Sequence, residues 1–372
     1  MFISNHVATK HMNQVVTIPH SVSPYITVYN ISPAFSGTNT QAFTKIGNPA
    51  TLPTSGANYC SGSNFNVTGD ILATTQTSVP RVRFYERNGD VLSLLPDVVN
   101  GPSSFPERGG MFHPNNNLYV NGHQTYPFLY LAQRSATTST RFETLSTASI
   151  FTNSVLPSSH VRGVAWNPQG TILSCHQNNA PRLISYWYDG TTFTKLPDPA
   201  VGPTAMGDTA GGTWDPEGRI FVTTHATSPW ITAYWVNYNG TATTFTKLAN
   251  PTTLPGNTTC AIGMNNTGSS IAISFYNSPY IHCYNISYNG TNTTLTRVAA
   301  FPTSLSNGSG YSLSWLTDDR SLIYSAYSAT RFHWITRSGD TFTIQGRRPS
   351  AEIPGDTNGP GSIWPKAGNP TK

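Results

Sequence analysis

Two columns of residues keep a constant separation along the whole chain. The first is Thr9, Phe65, Phe112, Trp166, Trp214, Met264 and Trp315; the second is Pro24, Pro80, Pro127, Pro181, Pro229, Pro279 and Thr330. Each member of the second column stands 15 residues after its partner in the first, with no gap in any of the seven pairs. Successive units are offset by 56, 47, 54, 48, 50 and 51 residues, so all length variation falls outside this core. A chain with that arithmetic repeats one supersecondary unit and absorbs change in its connecting loops.

Residues 164–196 show what the unit is. Short apolar segments are separated by the turns Asn167-Pro168-Gln169-Gly170, Asn179-Ala180-Pro181 and Asp189-Gly190. β-Branched and aromatic residues between Gly, Pro and Asn turns read as four short antiparallel strands. A twisted four-stranded sheet cannot cover its own two faces, so such units must stack around an axis. The expectation is all-β: a seven-bladed β-propeller with four antiparallel strands per blade over residues 1–346. His6–Thr9 is expected to form the first inner strand. The Gly/Pro-rich tail, 347–372, is read either as a segment that closes the ring, since 362–368 echoes 164–170, or as a docking arm.

Charged residues are 10% of the chain, and the net charge of +5 comes without a run of basic residues. Nucleic-acid binding, which needs a concentrated basic stripe, is not expected. The first residues lack a basic stretch followed by an apolar one, and no segment approaches 18 apolar residues, so neither a secretory signal nor a membrane span is expected. Cys60, Cys175, Cys260 and Cys283 fall in four different units with no C-x-x-C spacing, and read as small buried thiols rather than as disulfides or a metal site.

The segments Ser23-Pro24-Tyr25-Ile26-Thr27-Val28-Tyr29 and Ser278-Pro279-Tyr280-Ile281, with the outer-strand signature Phe-Thr-Lys-Leu at 193–196 and 245–248 and its variant Phe-Thr-Lys-Ile at 43–46, resemble WD40-like repeats of tailed-bacteriophage virion proteins. The Trp-Asp and Gly-His signatures of eukaryotic WD40 units are missing, so their hydrogen-bonded tetrad is not carried over. The resemblance implies a non-catalytic virion component of a tail, baseplate or capsid. It would assemble in the host cytoplasm, stand in several copies on a particle and contact other virion proteins. The alternatives are a glycan-binding module recognising a host surface, and a metal-dependent lactonase or hydrolase propeller.

Two further columns could carry a site. Eleven residues after the first marker stand His20, Gln76, His123, Gln177, His225, Phe275 and Ala326. Three imidazoles could ligate a metal, but the mixed occupants favour a hydrogen-bonding cap on the turn, with no metal or cofactor. One residue after the second marker stand Tyr25, Arg81, Phe128, Arg182, Trp230, Tyr280 and Arg331. Rings and guanidinium groups of this kind pack blades together or form a contact rim for a protein or glycan. Glutamates are only Glu86, Glu107, Glu143, Glu217 and Glu352, and the aspartates sit mostly in turns; neither nucleophile elbow nor phosphate loop appears, so an enzyme is not the first expectation.

Overall fold

The computed structural model describes residues 14–19, 26–31, 43–53, 60–76, 78–102, 110–115, 117–135, 141–151, 155–205, 211–298, 310–316, 318–326 and 331–349. The sheets follow chain order, each an up-and-down antiparallel meander. In unit four the strands are Val161–Trp166, Ile172–Gln177, Leu183–Tyr188 and Phe193–Lys195, paired in sequence. The inner strands of the other four-stranded sheets are Cys60–Phe65, Met111–Phe112, Gly212–Trp214, Thr259–Met264 and Gly310–Trp315. All six inner strands end on a residue of the first sequence column.

The blade count differs from the expectation of seven. Among the described residues, units two to seven form six four-stranded blades, whereas the first unit is a three-stranded sheet of Gln14–Pro19, Ile26–Ile31 and Phe43–Lys45. The six units that make blades carry Phe, Trp or Met in the first column. His6–Thr9, expected as the first inner strand, lies outside the described residues.

Burial follows from stacking. The second strand of unit four, Ile172-Leu-Ser-Cys-His-Gln, is buried throughout, because neighbouring units cover both of its faces. Only the outer strands alternate between buried and exposed, as at Thr244–Lys247 and Thr294–Arg297. The apolar clusters each span consecutive units: Phe84 stacks on Phe142 at 3.7 Å between ring centres, and Phe151 on Phe193 at 4.6 Å. Cys175, Cys260 and Cys283 are buried thiols, as expected, the first and last of them within these interfaces, and burial pushes the Cys175 thiol up. The Cys60 side chain is outside the described set.

The turn between the first two strands is built the same way four times. Asn66, Asn167, Asp215 and Asn265 each direct Oδ1 back to a backbone N–H, of Ile71 (3.0 Å), Ile172 (2.8 Å), Ile220 (2.7 Å) and Ser270 (2.9 Å). Within each turn a glycine adopts left-handed φ, for example Gly170 at 73°. Replacing Asn167 by Ala leaves a buried N–H unpaired. It should lower unfolding free energy by about 1–3 kcal/mol in chemical denaturation.

Adjacent units are clamped at their periphery. Arg87 donates to Asn30 Oδ1 (2.8 Å), Arg134 to Glu86 Oε1 (2.7 Å) and Arg337 to Asn285 Oδ1 (2.6 Å), in each case from position seven after the second marker to position six of the preceding unit. Units five and six hold Val236 and Ile286 at that position, and a tyrosine two residues on takes over. Tyr238 Oη donates to Gly218 O (2.7 Å) and accepts from Asn167 Nδ2 (3.1 Å) of unit four.

Candidate active site on the face of unit four

The residues of the contact-rim expectation are distributed one per unit rather than gathered. Pro80, Pro127, Pro181, Pro229 and Pro279 follow cis peptide bonds in the turns between second and third strands. Phe128, Trp230 and Tyr280, which come next, have φ of 63°, 60° and 62° and are half-buried. Phe128 packs against the core shared by units three and four, and Tyr280 against that of units six and seven. Tyr25 lies outside the described residues; Arg331 opens the third strand of unit seven, and its side chain is not described.

The other two rim residues touch the imidazole column electrostatically across unit boundaries. Arg81 of unit two acts on His123 of unit three, and Arg182 of unit four acts on His225 of unit five. Burial, reinforced by those positive charges, lowers both imidazoles to about 4, so both are neutral at pH 7. His176, sealed between units four and five and stacked on Phe221 at 5.7 Å, is likewise lowered to about 4 by burial. Close approach there requires Gly212, where a Cβ would stand 2.6 Å from His176 Cε1.

Several members of the imidazole column serve the turn. Gln76 Nε2 donates to Pro80 O (2.6 Å), and Gln177 Oε1 accepts from Ser158 N (2.8 Å). His225 is bonded at both ring nitrogens, with Thr227 O at 2.9 Å and Thr232 Oγ1 at 3.0 Å. His20 and the Ala326 side chain are outside the described set. No group of three or more His, Cys, Asp or Glu side chains able to hold a metal occurs among the described residues. The turn aspartates behave as the sequence suggests: Asp189 accepts four bonds from Thr191 and Thr192, which hold its carboxyl well below the usual range.

On the same face, the start of the inner strand of unit four brings chemistry-bearing residues together. The pairing with the second strand slips between Val161 and Gly163, making Arg162 the extra residue of a β-bulge. A bulge re-aims its side chain, and Arg162 Nε donates to Asn178 Oδ1 (3.1 Å) across the hairpin. Asn178 N in turn bonds His160 O (3.1 Å), while Val161 N bonds His123 O (3.1 Å) of unit three. Two buried nitrogens here, His160 Nδ1 and Arg182 Nε, have no hydrogen-bond partner among the described residues. Such atoms recur elsewhere among the described residues, at Asn121 Oδ1, Trp214 Nε1 and His282 Nδ1 for example, so what distinguishes this pair is its place beside a bulge that displays Arg162.

Sequence reasoning singled out Arg182 but not His160, Arg162 or Asn178. The available signal was the column four residues before the first marker. It holds Asn5, Ser61, Arg108, Arg162, Ala210, Cys260 and Tyr311. Register slips recur at Ser61, Cys260 and Tyr311, so the bulge is a property of the repeat. Its occupants share no chemistry, which is why the column does not stand out by composition.

No family model matches the chain, and no curated protein does. Solved structures do match in fold. A provisionally named 6-phosphogluconolactonase of Bacteroides fragilis superposes with a TM-score of 0.68 at 10% identity, over 89% of this chain and 93% of that one. One of Bacteroides uniformis gives 0.66 at 13% identity, covering 89% and 94%. The periplasmic gluconolactonase of Pseudomonas aeruginosa gives 0.63 at 12% identity, covering 90% and 95%.

These neighbours correct the bacteriophage resemblance and the non-catalytic virion role drawn from it. They bear lactonase names, none is a virion protein, and at 10–13% identity they show the fold alone. The motifs behind the resemblance have structural roles within the blades. Ser278-Pro279 forms a turn between strands, Phe193 and Phe245 fill the core, and Lys195 and Lys247 reach Asp198 (2.6 Å) and Asn250 (2.7 Å) three residues on. They carry no information about a particle or its partners.

Proposed function

We propose that the protein is a hydrolase of sugar-derived lactones, with its reacting groups at His160, Arg162, Asn178 and Arg182. The observation that carries this reading is the pair of orphaned buried nitrogens, His160 Nδ1 and Arg182 Nε, on the face where a bulge displays Arg162. The names of the fold neighbours support the same chemistry.

The reaction needs a base, a donor for the developing oxyanion and a site that orients the ring. His160 takes a proton from water as the water oxygen attacks the lactone carbonyl. The Arg162 guanidinium, held by Asn178, stabilises the resulting alkoxide-like oxygen. Collapse breaks the bond from the acyl carbon to the ring oxygen, and the His160 imidazolium returns the proton to that leaving oxygen, giving the open hydroxy acid. Arg81 and Arg182 keep the surroundings positive, which favours a substrate bearing negative charge.

The test is proton release from glucono-δ-lactone and from 6-phosphoglucono-δ-lactone in a pH-stat, with spontaneous opening subtracted. Turnover proportional to protein is expected, with the phosphorylated lactone preferred. Rates at the spontaneous level for both would remove this reading.

A further inference from the structure

The opposite face of the propeller carries a second concave region that the proposed hydrolysis does not use. It is a cleft of about 910 Å³ between units six and seven, within the size range of ligand sites. Its lining comes from the turns between first and second strands of both units and from the ends of both third strands. The site described above is at the other end of the strands, where second strands finish and third strands begin.

The chemistry of the lining is unusual for a groove between packed blades. Ile286 is its one aliphatic side chain; the rest are hydroxyls, amides, two arginines and two aspartates, with the four charges cancelling. The floor is preorganised. Arg337 reaches from unit seven to Ser270 Oγ (2.5 Å) and Asn285 Oδ1 (2.6 Å) of unit six, and donates to Gly339 O (2.6 Å). Asn265 Nδ2 fixes the hydroxyls of Thr267 (2.9 Å) and Ser269 (3.1 Å). Asp319, at φ 57°, is tied by Oδ1 to Thr267 N (3.1 Å). The Asp319 Oδ2 oxygen and the exposed Arg320 guanidinium have no side-chain partner among the described residues.

An open acceptor beside an open donor, over a fixed floor of hydroxyls and amides, suits a ligand whose neighbouring groups both donate and accept. Vicinal hydroxyls do so, each donating to a carboxylate and accepting from a guanidinium. A free anion would meet Asp318 and Asp319, a cation would meet Arg320 and Arg337, and an apolar ligand would find one isoleucine. We propose that this cleft binds a neutral oligosaccharide. The site is separate from the aromatic rim considered from the sequence, and it does not depend on the hydrolase reading.

The test is saturation-transfer NMR on the full chain with maltotriose, cellotriose, xylotriose and chitotriose, each offered alone at millimolar concentration. Transfer to at least one trisaccharide is expected. Its affinity should fall about tenfold or more in Asp319→Asn and in Arg320→Ala, both with thermal unfolding like the parent. His160→Gln, on the other face, should bind the sugar as the parent does. No transfer to any of the four, transfer indifferent to both cleft substitutions, or loss of transfer in His160→Gln would each overturn the proposal.

Discussion

Replacing His160 by Gln should lower turnover of the preferred lactone by about 10²–10⁴-fold at pH 7, the usual contribution of a positioned general base. Its buried Nδ1 has no partner among the described residues, so the substitution breaks no hydrogen bond there, and the thermal midpoint should stay near that of the parent. Arg162→Ala should cost about 10²–10³-fold in kcat, because its guanidinium acts on charge that develops only in the transition state. Asn178→Ala tests positioning. It frees Arg162 Nε without removing the charge, so kcat should fall by less than in Arg162→Ala, with KM little changed. Stopped-flow proton release on the purified variants separates these cases. Undiminished turnover in both His160→Gln and Arg162→Ala would place the chemistry elsewhere on the propeller.

Stability should fall steeply as pH drops from about 6.5 toward 4. His123, His176 and His225 are buried, and burial lowers each from the ordinary imidazole value to about 4. Between those limits the unfolded chain binds protons that the folded chain does not, so each imidazole contributes stability that is complete above about pH 6.5 and is lost on acidification. The slope is about 1.4 kcal/mol per pH unit per imidazole, and for the three together the loss between pH 7 and 5 is on the order of 5–6 kcal/mol. His282 is lowered to about 4 by burial and by Arg297, whose Nη2 lies 2.6 Å from its Nε2, and adds in the same direction. Urea denaturation at pH 7, 6 and 5 measures the effect. In His176→Leu the pH dependence should be shallower by one proton; an unchanged slope would mean that His176 is protonated in the fold.

Much of the fold was legible because a propeller writes its register into the chain. The first column marks the inner-strand ends from Phe65 to Trp315, the second marks the turns before the third strands, and the Asn-Pro-Gln-Gly type of turn closes on itself through an Asx bond. The same arithmetic overcounted the blades, since it records spacing and takes no account of how many strands each unit pairs. The Phe-Thr-Lys-Leu signature was misread as a mark of kinship, because residues required by blade geometry recur wherever the geometry does.

The site was much less legible. Arg182 stood in a recognised column, but His160, Arg162 and Asn178 come from the strand start and the facing turn, and a register slip sets which way the strand residue points. Periodicity cannot report a departure from itself. The amino-acid sequence alone determined the repeating unit, its strand boundaries and the turn chemistry, because these rest on interactions within about twenty residues. The tertiary structure decided the blade count, the peripheral clamps, the neutral state of the buried imidazoles and the Arg162–Asn178 contact at the bulge. Each depends on what the adjoining unit covers, and burial, charge and hydrogen-bond completion exist only once the units have stacked.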